Sequence, residues 1–263
     1  MSTGVGGWDW AARTGGRLRR RDELDQLLRV ARPLVAARLR RLVGRAGGVA
    51  GRGRAGGVTV EWRVAQSPPD SAFARAASEA AREASGDVLL GHCLRTWLWA
   101  DLVAQADRVR HDPELLYAAC VLHDLGLTPA HWGKRAECFG VEGGLAAYDL
   151  ATAHGYPRAR ALGEAISLHL NVEVPLSLGA EAHLLQAGAA MDLFGRRARM
   201  LPAPVASQVL ARHPRDGFAA EIERLGAGQA EARPRSRIAL LRRLGLPDLA
   251  RRAEASFDQL SPR

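Results

Sequence analysis

From residue 67 to residue 258 the chain repeats one pattern: apolar side chains three and four residues apart, interrupted by Gly and Pro. That spacing gathers the apolar groups on one face of an α-helix and does not suit a strand. It predicts helices at 67–85, 87–109, 113–126, 142–154, 158–170, 180–194, 203–212, 216–227, 236–244 and 247–258. The one strand-like stretch is VTVEWRV at 58–64. Helices in succession cover their apolar faces by packing on one another, so the expected fold class is all-α, a helical bundle.

Charge divides the chain unevenly. The net charge is +9. Residues 1–66 hold 14 arginines and five acids, whereas the remainder balances 23 basic against 23 acidic residues. The excess therefore sits in the first quarter, and the neutral body lacks the electrostatic footprint of a nucleic-acid-binding domain. Within that quarter, 21–44 carries Leu and Val at helical spacing between arginines, and 44–57 is a Gly/Arg linker. The expected layout is an Arg/Gly-rich extension over 1–60, partly helical and flexible, and a domain over 61–263 that folds and keeps its site when 1–57 are removed. No apolar run reaches the roughly 20 residues of a membrane span, and the basic N-terminal stretch leads into no apolar signal core, so a cytoplasmic location is expected. Cys93, Cys120 and Cys138 are odd in number, far apart and in no CxxC pair, which points to buried thiols.

Three polar groups interrupt otherwise apolar helices. AACVLHDLGLT (118–128) buries His123 beside Asp124, LLGHCLRTWLWA (89–100) contains His92, and LLQAGAAMDLFG (184–195) contains Asp192. Burying an imidazole or a carboxylate is costly unless each has a partner, and a divalent cation satisfies both at once. Neighbouring residues of a helix point about 100° apart, so His123 and Asp124 share an ion only at a helix end, which Gly126 supplies. A local cap for Asp124 and a core carbonyl for His123 is the alternative for the dipeptide alone.

The order His92, then His123-Asp124, then Asp192 on successive helices resembles the HD-domain superfamily of metal-dependent hydrolases. The segments PPDSAFARAASEAA, GHCLRTWLWA, DPELLYAACVLHDLGLT, FGVEGG, EAISLHLN, GAAMDLFG and VLARHPRDGF together are similar to its cyanamide hydratase-like branch, from about residue 61 to the C-terminus. Two positions depart from the pattern. Phe139 is followed by Gly140 where the branch has Glu, and the family's distal Asp usually follows Ala or Gly directly, which would put Ala189 in its place and Asp192 one turn later.

The resemblance implies an HD helical bundle holding one divalent transition metal (Zn, Fe or Mn) on His92, His123, Asp124 and Asp192. If Ala189 holds the ligand position, Asp192 becomes an outer partner of one histidine. It further implies His169 in the pocket, acting with Asp124 in catalysis, and a hydrolase or hydratase that uses a metal-activated water on a small neutral nitrile- or amide-like substrate. Nucleotide phosphohydrolysis is the second reading, disfavoured because only Arg95 and Lys134 flank the ligands, and a non-catalytic HD binding module is the third. A homo-oligomer is left open. His131 is placed either at the pocket mouth or in a surface loop, His111 in a turn, and His154, His183 and His213 at helix ends or the surface. HGYP (154–157) mimics part of a cyclic-dinucleotide phosphodiesterase signature without its other residues and is taken as coincidence.

Overall fold

A computed structural model describes residues 4–29, 31 and 60–258. Its elements are α1 (Trp8–Thr14), α2 (residues 20–29), α3 (Ala72–Ala84), α4 (Asp87–Asp107), α5 (Pro113–Leu122), α6 (Phe139–Ala153), α7 (Ala159–Leu168), α8 (Ala180–Phe194), α9 (Ala203–Arg212), α10 (Phe218–Ala232), α11 (Arg237–Arg243) and α12 (Leu246–Asp258). The fold is all-α, as expected. No strand occurs among the described residues; residues 60–64 of the strand-like stretch carry no regular secondary structure, and its first two residues lie outside them. So do the Gly/Arg linker and most of 21–44.

Local chemistry sets the helix ends. Ser71 caps α3 by accepting from the Ala74 N–H, and Asp112 caps α5 by accepting from the N–H groups of Glu114 and Leu115, with Pro113 in the first turn, where its missing N–H costs nothing. α8 stops at Gly195 in the left-handed conformation (φ 64°).

α5 is the buried axis of the bundle. Every residue from Leu115 to Leu122 is buried, which its nearly all-apolar sequence requires. α3, α4, α7 and α8 pack around it, α4 lies along α8, and α6 pairs with α7. Gly188 lets α8 lie close against α4: a Cβ there would stand 2.4 Å from the Thr96 carbonyl oxygen. That approach aligns the lower half of α8 with one face of α4.

Composition separates 1–60 from the rest, but packing does not follow that line at residues 4–18. Val5, Trp10, Ala11 and Leu18 are buried in a small core with Ala136, Cys138, Val141 and Leu240. Ser167 Oγ donates to Gly6 O at 2.6 Å, Asn171 Nδ2 donates to Val5 O at 2.8 Å, and the Arg237 guanidinium lies 5.5 Å from the centre of the Trp10 ring. The arginines of this stretch obscured two tryptophans whose area is enough to dock it.

Candidate metal centre

α5 ends at Leu122, and the chain turns through His123 and Asp124 into a single 3-10 turn, Leu125–Leu127. The turn fits against α6 only because residue 126 has no side chain: a Cβ there would lie 2.1 Å from the Phe139 carbonyl oxygen. Both members of the pair thus leave the helix end toward one point. His92 reaches it from the second turn of α4, and His169 from the C-terminal end of α7.

His92 Nε2, His123 Nε2 and the Asp124 carboxylate converge. The imidazole nitrogens are 3.3 Å apart, and Asp124 Oδ2 is 3.5 Å from the first and 3.3 Å from the second. His169 Nε2 adds a fourth donor 3.8 Å from Asp124 Oδ1. All four residues are buried.

The other ring nitrogens fix the tautomers. His123 Nδ1 is 2.7 Å from Cys120 O, and His169 Nδ1 is 2.6 Å from Ile166 O. Both are carbonyls of the last helical turn, and Ile166 O also accepts the His169 backbone N–H at 3.2 Å. A carbonyl only accepts, so Nδ1 carries the proton in both rings and the Nε2 lone pairs face inward. His92 Nδ1 is 2.7 Å from Asp192 Oδ2, with the same consequence. Burial pushes His123 below the ordinary imidazole pKa, with His92 adding to the fall and Asp124 opposing it. Burial, and then His123, hold His169 at about 3. Both rings are neutral near pH 7.

Three inward lone pairs and a carboxylate therefore crowd a buried point with no proton donor among them. That arrangement fits a cation. Donors bound to one ion at about 2.0–2.2 Å in a tetrahedral set stand roughly 3.3–3.6 Å apart. His92, His123 and Asp124 already show that spacing, and they form a group able to hold a metal ion.

Asp192 lies behind this cluster. It is fully buried, and both its carboxylate oxygens are taken: Arg95 donates to them at 2.9 and 3.0 Å and Trp99 Nε1 at 2.8 Å, besides His92, while Arg215 Nη1 donates to the Asp192 backbone carbonyl at 2.7 Å and forms an ion pair with Oδ1 at 3.1 Å. Burial alone would raise its pKa, but Arg95, His92 and Arg215 hold it well below the usual carboxylate range. Asp192 meets the Nδ1 side of His92, away from the converging Nε2 atoms, and Ala189, one turn earlier, lines the cavity. Sequence reasoning overlooked the rest of this assembly. The Phe218 ring stacks on His92 at 4.8 Å, with Arg95 and Arg215 5.0 and 4.6 Å from its centre. The VLARHPRDGF motif was the available signal, since it contributes both Arg215 and Phe218.

A cavity of about 350 Å³ opens from the cluster, bounded by His92, His123, Asp124 and His169 at its polar end. Arg95 and Lys134 do not line it: Arg95 points the other way into Asp192, and Lys134 is exposed. His131 is likewise outside its walls, and His154 is exposed at the end of α6. In HGYP, Gly155 turns the chain at φ 64° and Tyr156 stacks on Phe73 at 4.3 Å, a packing role. The three cysteines are buried free thiols, and burial raises the pKa of Cys93 and Cys120.

Residues 89–203 match the family model for the HD domain. The match contains all five candidate residues and supports placement in the HD superfamily; it does not distinguish the branch within it. No curated protein compared with the chain matches it. Among the described residues, no helix is long and apolar enough to cross a membrane.

Proposed function

We propose that the chain is a metal-dependent hydrolase or hydratase of the HD superfamily, acting on a small neutral molecule with a nitrile- or amide-like group. The observation that carries this reading is the convergence of His92 Nε2, His123 Nε2 and Asp124 at 3.3–3.5 Å with no proton donor among them. These three residues would hold the ion, with His169 beside them. When bound, a divalent transition metal would supply Lewis acidity and make water nucleophilic near neutral pH.

The rest of the chemistry falls to the chain. Hydration of a nitrile adds the oxygen of water to carbon and moves protons from that water to nitrogen, so a base must accept a proton beside the cluster and return it. Asp124 Oδ1, facing His169, is placed for that transfer. A histidine held at about pKa 3 stores no proton at neutral pH, so His169 serves as a hydrogen-bond acceptor that orients the substrate N–H or the attacking water. Asp192 keeps the His92 proton on Nδ1 and its lone pair on the reacting side.

The cavity walls argue against a nucleotide. A phosphate calls for clustered cationic donors; among the described residues lining the cavity the one Arg or Lys is Arg196, whose Nη1 already donates to Val172 O at 3.0 Å. The test is elemental analysis of the purified protein followed by two substrate panels. About one divalent ion per chain, lost in the double variant His123→Ala/Asp124→Ala, together with urea release from cyanamide or hydration of other nitriles, supports the proposal. Phosphate release from nucleotides replaces it with phosphohydrolysis, and bound metal without turnover replaces it with a binding module. Full metal retained by the double variant ends the metal reading.

A further inference from the structure

The cavity is far larger than a three-atom nitrile needs. At about 350 Å³ it corresponds to roughly twelve water volumes of about 30 Å³ each. Beyond the polar end its walls are apolar, built from Leu and Ile side chains of α8, α10, α11 and α12 such as Leu193, Ile222, Ile238 and Leu241, with Phe194 and Val172. Of the three other polar residues in the wall, Asn171 is engaged at both ends of its amide, and Gln186 and Arg196 each make one bond to the same carbonyl. Asn171 Nδ2 donates to Val5 O and its Oδ1 accepts from Arg237, while Gln186 and Arg196 both donate to Val172 O. The far end is apolar as well: Leu244 and Leu249 line the cavity and are 37% and 52% exposed, so apolar groups rim its opening.

A wall of this kind, apolar apart from its polar end and the Asn171, Gln186 and Arg196 edge, offers few partners to a second polar function on a substrate or to water filling it. We propose that the site takes a neutral amphiphile, a nitrile or amide carrying a straight or aryl apolar body of up to about ten non-hydrogen atoms. Its polar group enters first and rests at His92, His123, Asp124 and His169; its body lies along α8, α10 and α11 and ends at Leu244 and Leu249. The identity of the head group rests on the function proposed above, and the identity of the body rests on the cavity alone.

The test uses the metal-loaded full chain and two series of straight-chain probes of two to twelve carbons: primary amides, whose binding is measured by calorimetry, and the matching nitriles, whose hydration is measured by amide release. Each methylene moved from water into an apolar wall is worth about fourfold in affinity. The dissociation constant should therefore fall about fourfold per carbon and level off near the length that fills the cavity. Ala189→Leu, which fills space beside the cluster, should bring the plateau one to two carbons earlier. Leu249→Asp is a surface change that should not disturb folding; it should weaken only the probes long enough to reach the opening and leave the two-carbon amide unchanged. Affinity independent of chain length, or a Leu249→Asp effect equal for short and long probes, overturns the proposal even if short nitriles are hydrated. A chain-length series with a plateau but no hydration of any nitrile upholds the apolar body and refutes the head-group chemistry instead.

Discussion

Replacing Asp192 by Asn tests how the cluster is held. The change keeps shape and one acceptor but removes the charge that meets Arg95 and Arg215, and it sets an amide N–H₂ against either His92 Nδ1–H or the Arg95 guanidinium. Two losses follow. Stripping the anion from a buried charge pair costs about 3 kcal/mol or more, which for a domain of this size lowers Tm by roughly 10 °C. Separately, His92 loses a charge-assisted hydrogen bond worth about 1.5–3 kcal/mol and with it the preference for the tautomer whose Nε2 faces the site. At about 1.4 kcal/mol per decade that is a 10- to 100-fold weakening of metal binding, the range found when outer partners of metal ligands are removed. The assay is titration of Zn²⁺ into metal-free wild type and variant by chelator competition at 10 °C, with circular dichroism to show that the variant is folded. An intermediate loss with full stoichiometry is expected. If folded Asp192→Asn binds no metal at all, Asp192 is itself a ligand and the assignment made from its four partners is wrong; unchanged affinity would show that His92 needs no such orientation.

Asp192 also predicts an acid sensitivity. Its pKa is held below the ordinary carboxylate range, so its contribution to stability is present above the unfolded-state value of about 3.9 and is lost as pH falls below it; the Tm gap between wild type and Asp192→Asn should narrow from pH 6 to pH 3, and a constant gap would contradict the charge argument. Trp10→Ala should destabilise by about 3–5 kcal/mol, because a 3%-exposed indole is removed from the interface with Arg237 and the Asp22 carboxylate loses its Nε1 donor at 3.3 Å; thermal melts within 1 °C of wild type would show that residues 4–18 are not part of the core. Gly188→Ala drives a methyl toward the Thr96 carbonyl and should cost about 1–3 kcal/mol while weakening metal binding, since it pushes Asp192 away from His92; normal melting and metal titration would mean that α8 and α4 yield without consequence. Native Cys93 and Cys120 should resist iodoacetamide until the chain is denatured, as burial disfavours their thiolates, and rapid labelling would place them in reach of solvent.

The sequence by itself determined the class of fold and the heart of the site. Helical spacing depends only on which residues are apolar, so α8 and α9 match their expected spans and most other helix ends fall within a few residues. Buried polar residues inside apolar runs are legible for a related reason: His92, His123, Asp124 and Asp192 each need a partner, and their order along the chain carries the resemblance. A helix end at Gly126 was legible too, though not that the glycine is required by the Phe139 carbonyl.

Tertiary structure decided what spacing cannot encode. Whether Asp192 faces the cluster or stands behind it depends on the rotation of α8 against α4, set by Gly188 in contact with Thr96 and by Arg95, Trp99 and Arg215 gathering its oxygens from 93 to 97 residues upstream and 23 downstream. Whether residues 4–18 belong to the body depends on where Ser167, Asn171 and Arg237 meet them, which local composition, glycine-rich with Trp8 and Trp10 among a few arginines, does not specify. The cavity is likewise a property of the assembly. Its walls come from helices separated by more than 100 residues, each with an ordinary apolar face, and the volume left between them exists only when those faces are brought together.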